Sequence, residues 1–315
     1  MIKTKAIRKM LITTMSLFLV LTVFSLSFLN DEKTLRVNME IVHNNSVNTS
    51  DIYLLGENGY LIRKSILLDK DTVRENVLKI VDELTESDTT KFSNGFRGVI
   101  PKECSVLDVI VGSNLVTLNF SKEFLNVLEE HEKKMIESVV FSVLDYTKLD
   151  GVVILVEGEL LTEYPNSKEK LDKVLTKNIG INKQYNIKSR DNLLSVVLYY
   201  VVDIDGDNYY VPVTKYLNDT KEKIDIIVEE LVNDNINDAG LMSFLNNKVE
   251  LIEYDEANNV MVLNFNEYLF DYNNFVLDEV LYSISYSVFE NYDVNMVMFE
   301  VNGEEIGFID IKNKK

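Results

Sequence analysis

Apolar and polar positions alternate from Leu115 to Phe120, with Val116, Leu118 and Phe120 on one side and Thr117 and Asn119 on the other. That period of two predicts a half-buried strand. Val106–Val111 precedes it across Gly112-Ser113-Asn114 and completes a hairpin. Elsewhere the period lengthens to that of a helix. Val73, Val77, Ile80, Val81 and Leu84 fall on one stripe behind a capping box made by Thr72 and Glu75. A longer helix is predicted from about His131 to Lys148, with Met135, Ile136, Val139 and Val143 on its buried side. Ile52–Leu55 and Tyr60–Leu67 read as strands around Gly56-Glu57-Asn58-Gly59, and Val152–Val156 reads as the last strand of the series.

Nearly the whole pattern then returns. Val116, Leu118, Asn119 and Phe120 recur as Met261, Leu263, Asn264 and Phe265, and Ser138, Phe141, Ser142 and Val143 recur as Ser283, Tyr286, Ser287 and Val288, each 145 positions later. Val156-Glu157-Gly158-Glu159 answers to Val301-Asn302-Gly303-Glu304 at the same offset. The helix stripes return as Ile224, Ile227, Val228 and Leu231 behind Asp219 and Glu222, and as Val280, Leu281, Ile284 and Val288. An offset of this size matches a domain rather than a solenoid repeat of roughly 20–50 residues, so the chain is predicted to hold two copies of one domain. Each copy reads β-β-α-β-β-α-β. The expected fold class is α+β: two tandem two-layer domains, each a mixed sheet with helices on one face. Their expected limits are 51–165 and 191–311. The intervening 166–190 is predicted to be an exposed linker with a short helix at Lys168–Lys177 that lets the domains reorient.

One segment stands apart. Met10 to Leu29 is an apolar run of hydrocarbon-spanning length, preceded by Lys3, Lys5, Arg8 and Lys9 and followed by Asp31 and Glu32. Residues 1–30 are therefore expected to be one transmembrane signal anchor with the N-terminus inside and both domains extracytoplasmic. A cleaved signal peptide is the competing expectation, because Ser25 and Ser27 place small residues near its end. Residues 31–50 read as a polar spacer. The formal net charge is −19, and because residues 1–30 hold four positive charges and no acid, the part beyond the anchor carries −19 − 4 = −23, a field that repels nucleic acid and favours a basic protein partner.

Candidate chemistry is sparse. The single cysteine, Cys104, excludes an intrachain disulfide, and two histidines, His43 and His131, give no zinc set, so no metal or other cofactor is expected. Asp203-Ile204-Asp205-Gly206-Asp207 resembles the start of a calcium loop, but Asn208 and Thr214 stand where that loop needs glycine and glutamate, so a hairpin turn is expected instead. Ser138 with Ser142 and Ser283 with Ser287 fall at i, i+4 on one face of each long helix. Neither pair has a base at a matching position in both copies, so these serines are expected to let the helix approach its sheet or a neighbouring subunit closely. Asn119 and Asn264 are expected at strand ends, with Ser121 and Asn266 as turn residues.

The run Val116-Thr117-Leu118-Asn119-Phe120-Ser121-Lys122-Glu123-Phe124, the long apolar helix, and Gly151-Val152-Val153-Ile154-Leu155-Val156-Glu157-Gly158 resemble the GerMN domain of GerM-type sporulation and germination proteins. Pro101 stands before the central hairpin as in that family, whose members carry two such domains behind a membrane anchor. No cysteine follows the apolar segment, which departs from the lipoproteins common in the family. The resemblance implies no catalysis, and a role in assembling an envelope complex with other sporulation proteins or with itself. Two alternatives stay open: an envelope protein that binds a ligand, and an enzyme acting on the cell wall.

Overall fold

The computed structural model describes residues 48–87, 95–233 and 240–311. The expected anchor and His43 lie outside these residues, as does the spacer except for its last three positions. Thr49 already belongs to the first strand.

The first repeat runs β1 (Thr49–Leu55), β2 (Leu61–Leu67), α1 (Val73–Glu83), β3 (Val106–Val111), β4 (Leu115–Phe120), α2 (Glu132–Thr147), β5 (Gly151–Val156) and β6 (Glu159–Leu160). After β7 (Gln184–Asn186) the second runs β8 (Leu193–Ile204), β9 (Asp207–Asn218), α3 (Lys223–Asn233), β10 (Leu251–Ala257), β11 (Val260–Phe265), α4 (Asp278–Asn291), β12 (Met296–Val301) and β13 (Glu304–Asp310). The strand orders β3-β4-β5-β6 and β10-β11-β12-β13 are the same, as duplication requires. Both sheets are mixed. The central pairs β4/β5 and β11/β12 are parallel, and the outer pairs are antiparallel. A parallel pair needs a crossover, which α2 and α4 supply.

Each repeat therefore ends one strand later than its hydrophobic period suggests. Glu157 and Asn302 adopt left-handed backbone (φ 52° and 51°) and are followed by Gly158 and Gly303 at 83° and 82°. Two successive positive φ values make the tight turn that suits a right-twisted hairpin, and they send the chain back as β6 or β13. Asn119 and Asn264 hold these turns, each accepting the N–H of Gly158 or Gly303 at 2.9 Å. Ser121 and Asn266 clamp the start of the neighbouring strand through the N–H groups of Ser105 and Glu250. Asp205 and Gly206 form the turn between β8 and β9.

The hairpins β1–β2 and β8–β9 do not join the four-stranded sheets. Each long helix is wedged between its hairpin and its sheet, so α2 is buried on almost every side from Met135 to Asp145. Helices on one face of a single sheet are thus replaced by a helix between two sheets. Thr72 caps α1 as expected, accepting the Glu75 N–H at 3.2 Å. In the second repeat Asp219 instead turns the approach by accepting from Thr220 and Lys221, and α3 starts only at Lys223.

The segment between the repeats is neither helical at Lys168–Lys177 nor loosely exposed. Lys168 has a φ of 58°, outside helix geometry, Glu163 bridges to Lys170, and Leu175 pairs with Val152. Leu175, Ile181 and Asn182 are buried, and β7 adds a parallel strand to β9. Tertiary contacts have taken up a segment whose composition alone reads as a linker.

Candidate functional site: the seam between the repeats

An open strand edge is a template for unwanted pairing. In β1, Tyr53 stands opposite Arg63, and the Tyr53 N–H and C=O point away from β2 toward α2. Ser142 Oγ accepts that N–H at 3.0 Å, and Ser138 Oγ donates to that C=O at 2.6 Å. In β8, Ser287 Oγ accepts the Tyr199 N–H at 2.8 Å and donates to the Ser283 C=O at 2.6 Å. Asn291 takes both backbone groups of Val197, and Met242 takes both of Val201. Only a short side chain lets a helix come this close to a strand edge while still carrying a hydrogen-bonding group, which is the physical reason for serine at these positions. All four serines are fully buried against their own hairpins. Ser283 differs from Ser138: its Oγ has no hydrogen-bond partner among the described residues.

The other edges of the two hairpins face each other. Asn182 bridges β2 and β9, its Nδ2 donating to the C=O of Leu61 at 2.8 Å and of Pro212 at 2.7 Å, while its Oδ1 accepts the Leu61 N–H at 2.9 Å. Pro212 has no N–H to leave unsatisfied there. Further along, the Lys64 ammonium lies 4.7 Å from the ring centre of Phe96 and 5.5 Å from that of Tyr209. Leu61 with Pro212 and Lys64 with Tyr209 mean that β2 and β9 run antiparallel, about a pseudo-two-fold relating the repeats.

Near that axis lies a buried polar cluster. Tyr53 Oη donates to Asp145 Oδ2 at 2.5 Å and sits 3.1 Å from Tyr199 Oη, which must then be the donor to Tyr53. Asp145 and Glu290 occupy equivalent positions one offset apart, and Lys177 bridges them, its Nζ 2.8 Å from Asp145 Oδ1 and 2.8 and 2.9 Å from the Glu290 oxygens. The rings repeat the symmetry, Phe141 edge-on to Tyr53 and Tyr286 edge-on to Tyr199. Arg63 pairs with Asp51 at 2.9 Å and lies 4.3 Å above the Tyr286 ring of the other repeat. Beside the cluster opens a cleft of about 990 Å³, lined in part by Asp51, Asp145, Lys177 and Glu290.

Burial works to lower the Lys177 pKa, but the charges of Asp145 and Glu290 outweigh it and hold the ammonium well above its ordinary value. Burial, then the Asp145 charge, pushes the Tyr53 phenol well above its usual range. A lysine held protonated is no nucleophile, and a phenol so hard to ionise is no base at neutral pH. Their chemistry is that of a clasp. Cys104 is half-buried, its thiol pushed up to about 11 chiefly by burial, which leaves little reactive thiolate. Among the described residues no group of three or more His, Cys, Asp or Glu side chains is placed to hold a metal ion.

Sequence periodicity brings out the serines but not Tyr53, Asp145, Lys177, Asn182 or Glu290. The one signal for them is that Asp145 and Glu290 are acids at equivalent positions near the C-terminal ends of the two long helices.

Two mixed sheets of identical order, each with its helix-plugged hairpin, define a protein of two tandem α+β domains. The chain belongs to the Germane family, described by its role in sporulation and spore germination, whose pattern matches residues 51–162 and 197–307. It is similar to the spore germination protein GerM of Bacillus subtilis (strain 168), with 28% identity over 263 residues that cover 81% of this chain and 71% of that protein. The solved structure of the tandem GerMN domains of the sporulation protein GerM from Bacillus subtilis superposes with a TM-score of 0.75 at 26% identity, covering 82% of this chain and 92% of that one.

Proposed function

We propose that this protein is a membrane-anchored, extracytoplasmic and non-catalytic module that assembles or positions an envelope complex during sporulation or germination. Family membership supports the process. The observation that carries the assembly role is the seam. Lys177, Asn182 and the paired tyrosines tie two copies of a domain into one body, and both four-stranded sheets keep edge strands outside the seam. Such an arrangement presents two related surfaces at a fixed spacing, which suits a scaffold. Asp145 and Glu290, the acids one would assign to a wall hydrolase, both hold the Lys177 ammonium instead of flanking a free site.

The test is affinity capture of the tagged full chain from sporulating cells, comparing the native protein with Asn182→Ala. Recovery of envelope proteins with the native chain, reduced when the seam is loosened, is the expected result. Capture of nothing but a small molecule would favour a ligand-binding envelope protein, the reading that the 990 Å³ cleft offers. The anchor is tested separately: a C-terminal tag should stay in carbonate-washed membranes and be open to external protease.

A further inference from the structure

The N-terminal end of the long helix is treated differently in the two repeats. In the first, the intervening segment folds over it. The N–H groups of Asn166 and Ser167 donate to the Glu132 carboxylate at 2.6 and 3.1 Å, and Asn166 Nδ2 donates to the Val127 C=O at 2.8 Å. Val127 and Glu132 are buried as a result, Glu132 to 1% exposure. In the second repeat the equivalent positions, 145 residues on, are Tyr272 and Leu277. There β13 runs the full length of β12, pairing Asp310 with Met296, and carries the chain to the opposite end of the sheet. Nothing among the described residues takes the place of the covering segment. Tyr272 is fully exposed and Leu277 is 38% exposed. With Met242, Phe244 and Tyr268 they line a groove of about 360 Å³. Phe244 is held at a φ of 60°, a left-handed backbone that a bulky residue rarely adopts and that marks a site under local strain.

We propose that this groove in the second repeat docks an apolar peptide segment, flanked by lysine or arginine, from a partner protein. Two observations choose the occupant. The exchange of a carboxylate for a leucine at the position of Glu132 means that the cover here brings apolar side chains rather than N–H donors. Asp271 lines the groove and Glu267 adjoins its lining residue Tyr268 in sequence, with the Lys248 ammonium over the Tyr268 ring, on a chain of net charge −19. That field attracts basic flanks and repels a second copy of the same acidic chain. The inference rests on the assembly reading and specifies the surface and chemistry of one of its contacts.

The experiment titrates the full chain, in detergent, into two fluorescent peptides of sequence KKLFLKK and EELFLEE, for the native protein and for Tyr272→Ser with Leu277→Ser. Tyr272 is fully exposed and Leu277 is the N-cap of α4, a position that favours serine, so the melting temperature should hold. The expected result is binding of the basic peptide at least tenfold tighter than the acidic one, weakened at least tenfold in the double variant. Equal binding of the two peptides, or full binding by the variant, overturns the proposal. Self-association of the native chain that the variant abolishes overturns it too, in favour of a second copy. The same variant is scored for sporulation: lost peptide binding with normal spores leaves the groove and removes the assembly role, whereas retained binding with defective spores does the reverse.

Discussion

Ser138 and Ser283 are equivalent by repeat position, yet their substitution by alanine should have different outcomes. Ser138 Oγ donates to the C=O of Tyr53, a fully buried residue whose carbonyl faces no other strand. Ser138→Ala leaves that acceptor buried without its donor, a loss of about 1–3 kcal/mol. For a body of this size each kcal/mol moves the melting temperature by about 2–4 °C, so the midpoint should fall by roughly 2–12 °C. Ser283 Oγ is equally buried but has no hydrogen-bond partner among the described residues. Ser283→Ala removes a hydroxyl already deprived of water, and should be neutral or stabilising by up to about 1 kcal/mol. Urea and thermal unfolding of the two full-length variants against the native chain measure both. Equal destabilisation by the two substitutions, or a Ser138→Ala change below about 0.5 kcal/mol, would refute the assignment of Ser138 as a cap on a strand edge.

Two further outcomes follow from the seam and a third from the segment folded over the start of α2. Lys177→Met removes the ammonium that Asp145 and Glu290 share and should cost about 3 kcal/mol, the low end for breaking a buried pair because Lys177 keeps 31% side-chain exposure; adding Asp145→Asn and Glu290→Gln should recover most of it in the same unfolding assay. Asn182→Ala removes the bridge between β2 and β9, so scanning calorimetry should show one transition become two, and a single unchanged transition would contradict the bridge. Burial alone would raise the Glu132 pKa, but hydrogen bonds from Ser167 and Asn166 outweigh it and hold the carboxylate below its ordinary range. Its contribution is therefore present above the unfolded pKa near 4–5 and lost as pH falls through the lower folded value, so Glu132→Gln should melt below the native chain at pH 7 and converge with it in acid.

Local rules carried the fold further than the site. The turn at Asp205-Gly206, the cap at Thr72 and the strand Leu115–Phe120 depend on neighbours in sequence, and they stand where the pattern puts them. β13 was hidden because Glu304, Glu305 and Gly307 interrupt its alternation; it is an edge strand, half in solvent, and need not be apolar. The serine faces were legible as small residues, but not that their hydroxyls meet Tyr53 and Tyr199, since nothing in a helical period names the strand edge across from it. Lys177 and Asn182 lie in a segment of linker composition, and their roles exist only once both repeats are folded and brought together. Such residues have no local signature to read.

The central claim is that the two repeats form one rigid body. Spin labels at Ile110 and Ile252, exposed residues on β3 and β10, in a Cys104→Ser background, report the distance between the outer strands of the two sheets. Pulsed dipolar spectroscopy on the full chain should give a single narrow distance distribution, broadened by Asn182→Ala. A broad or bimodal distribution in the native chain would mean that the repeats move independently, and would contradict the account.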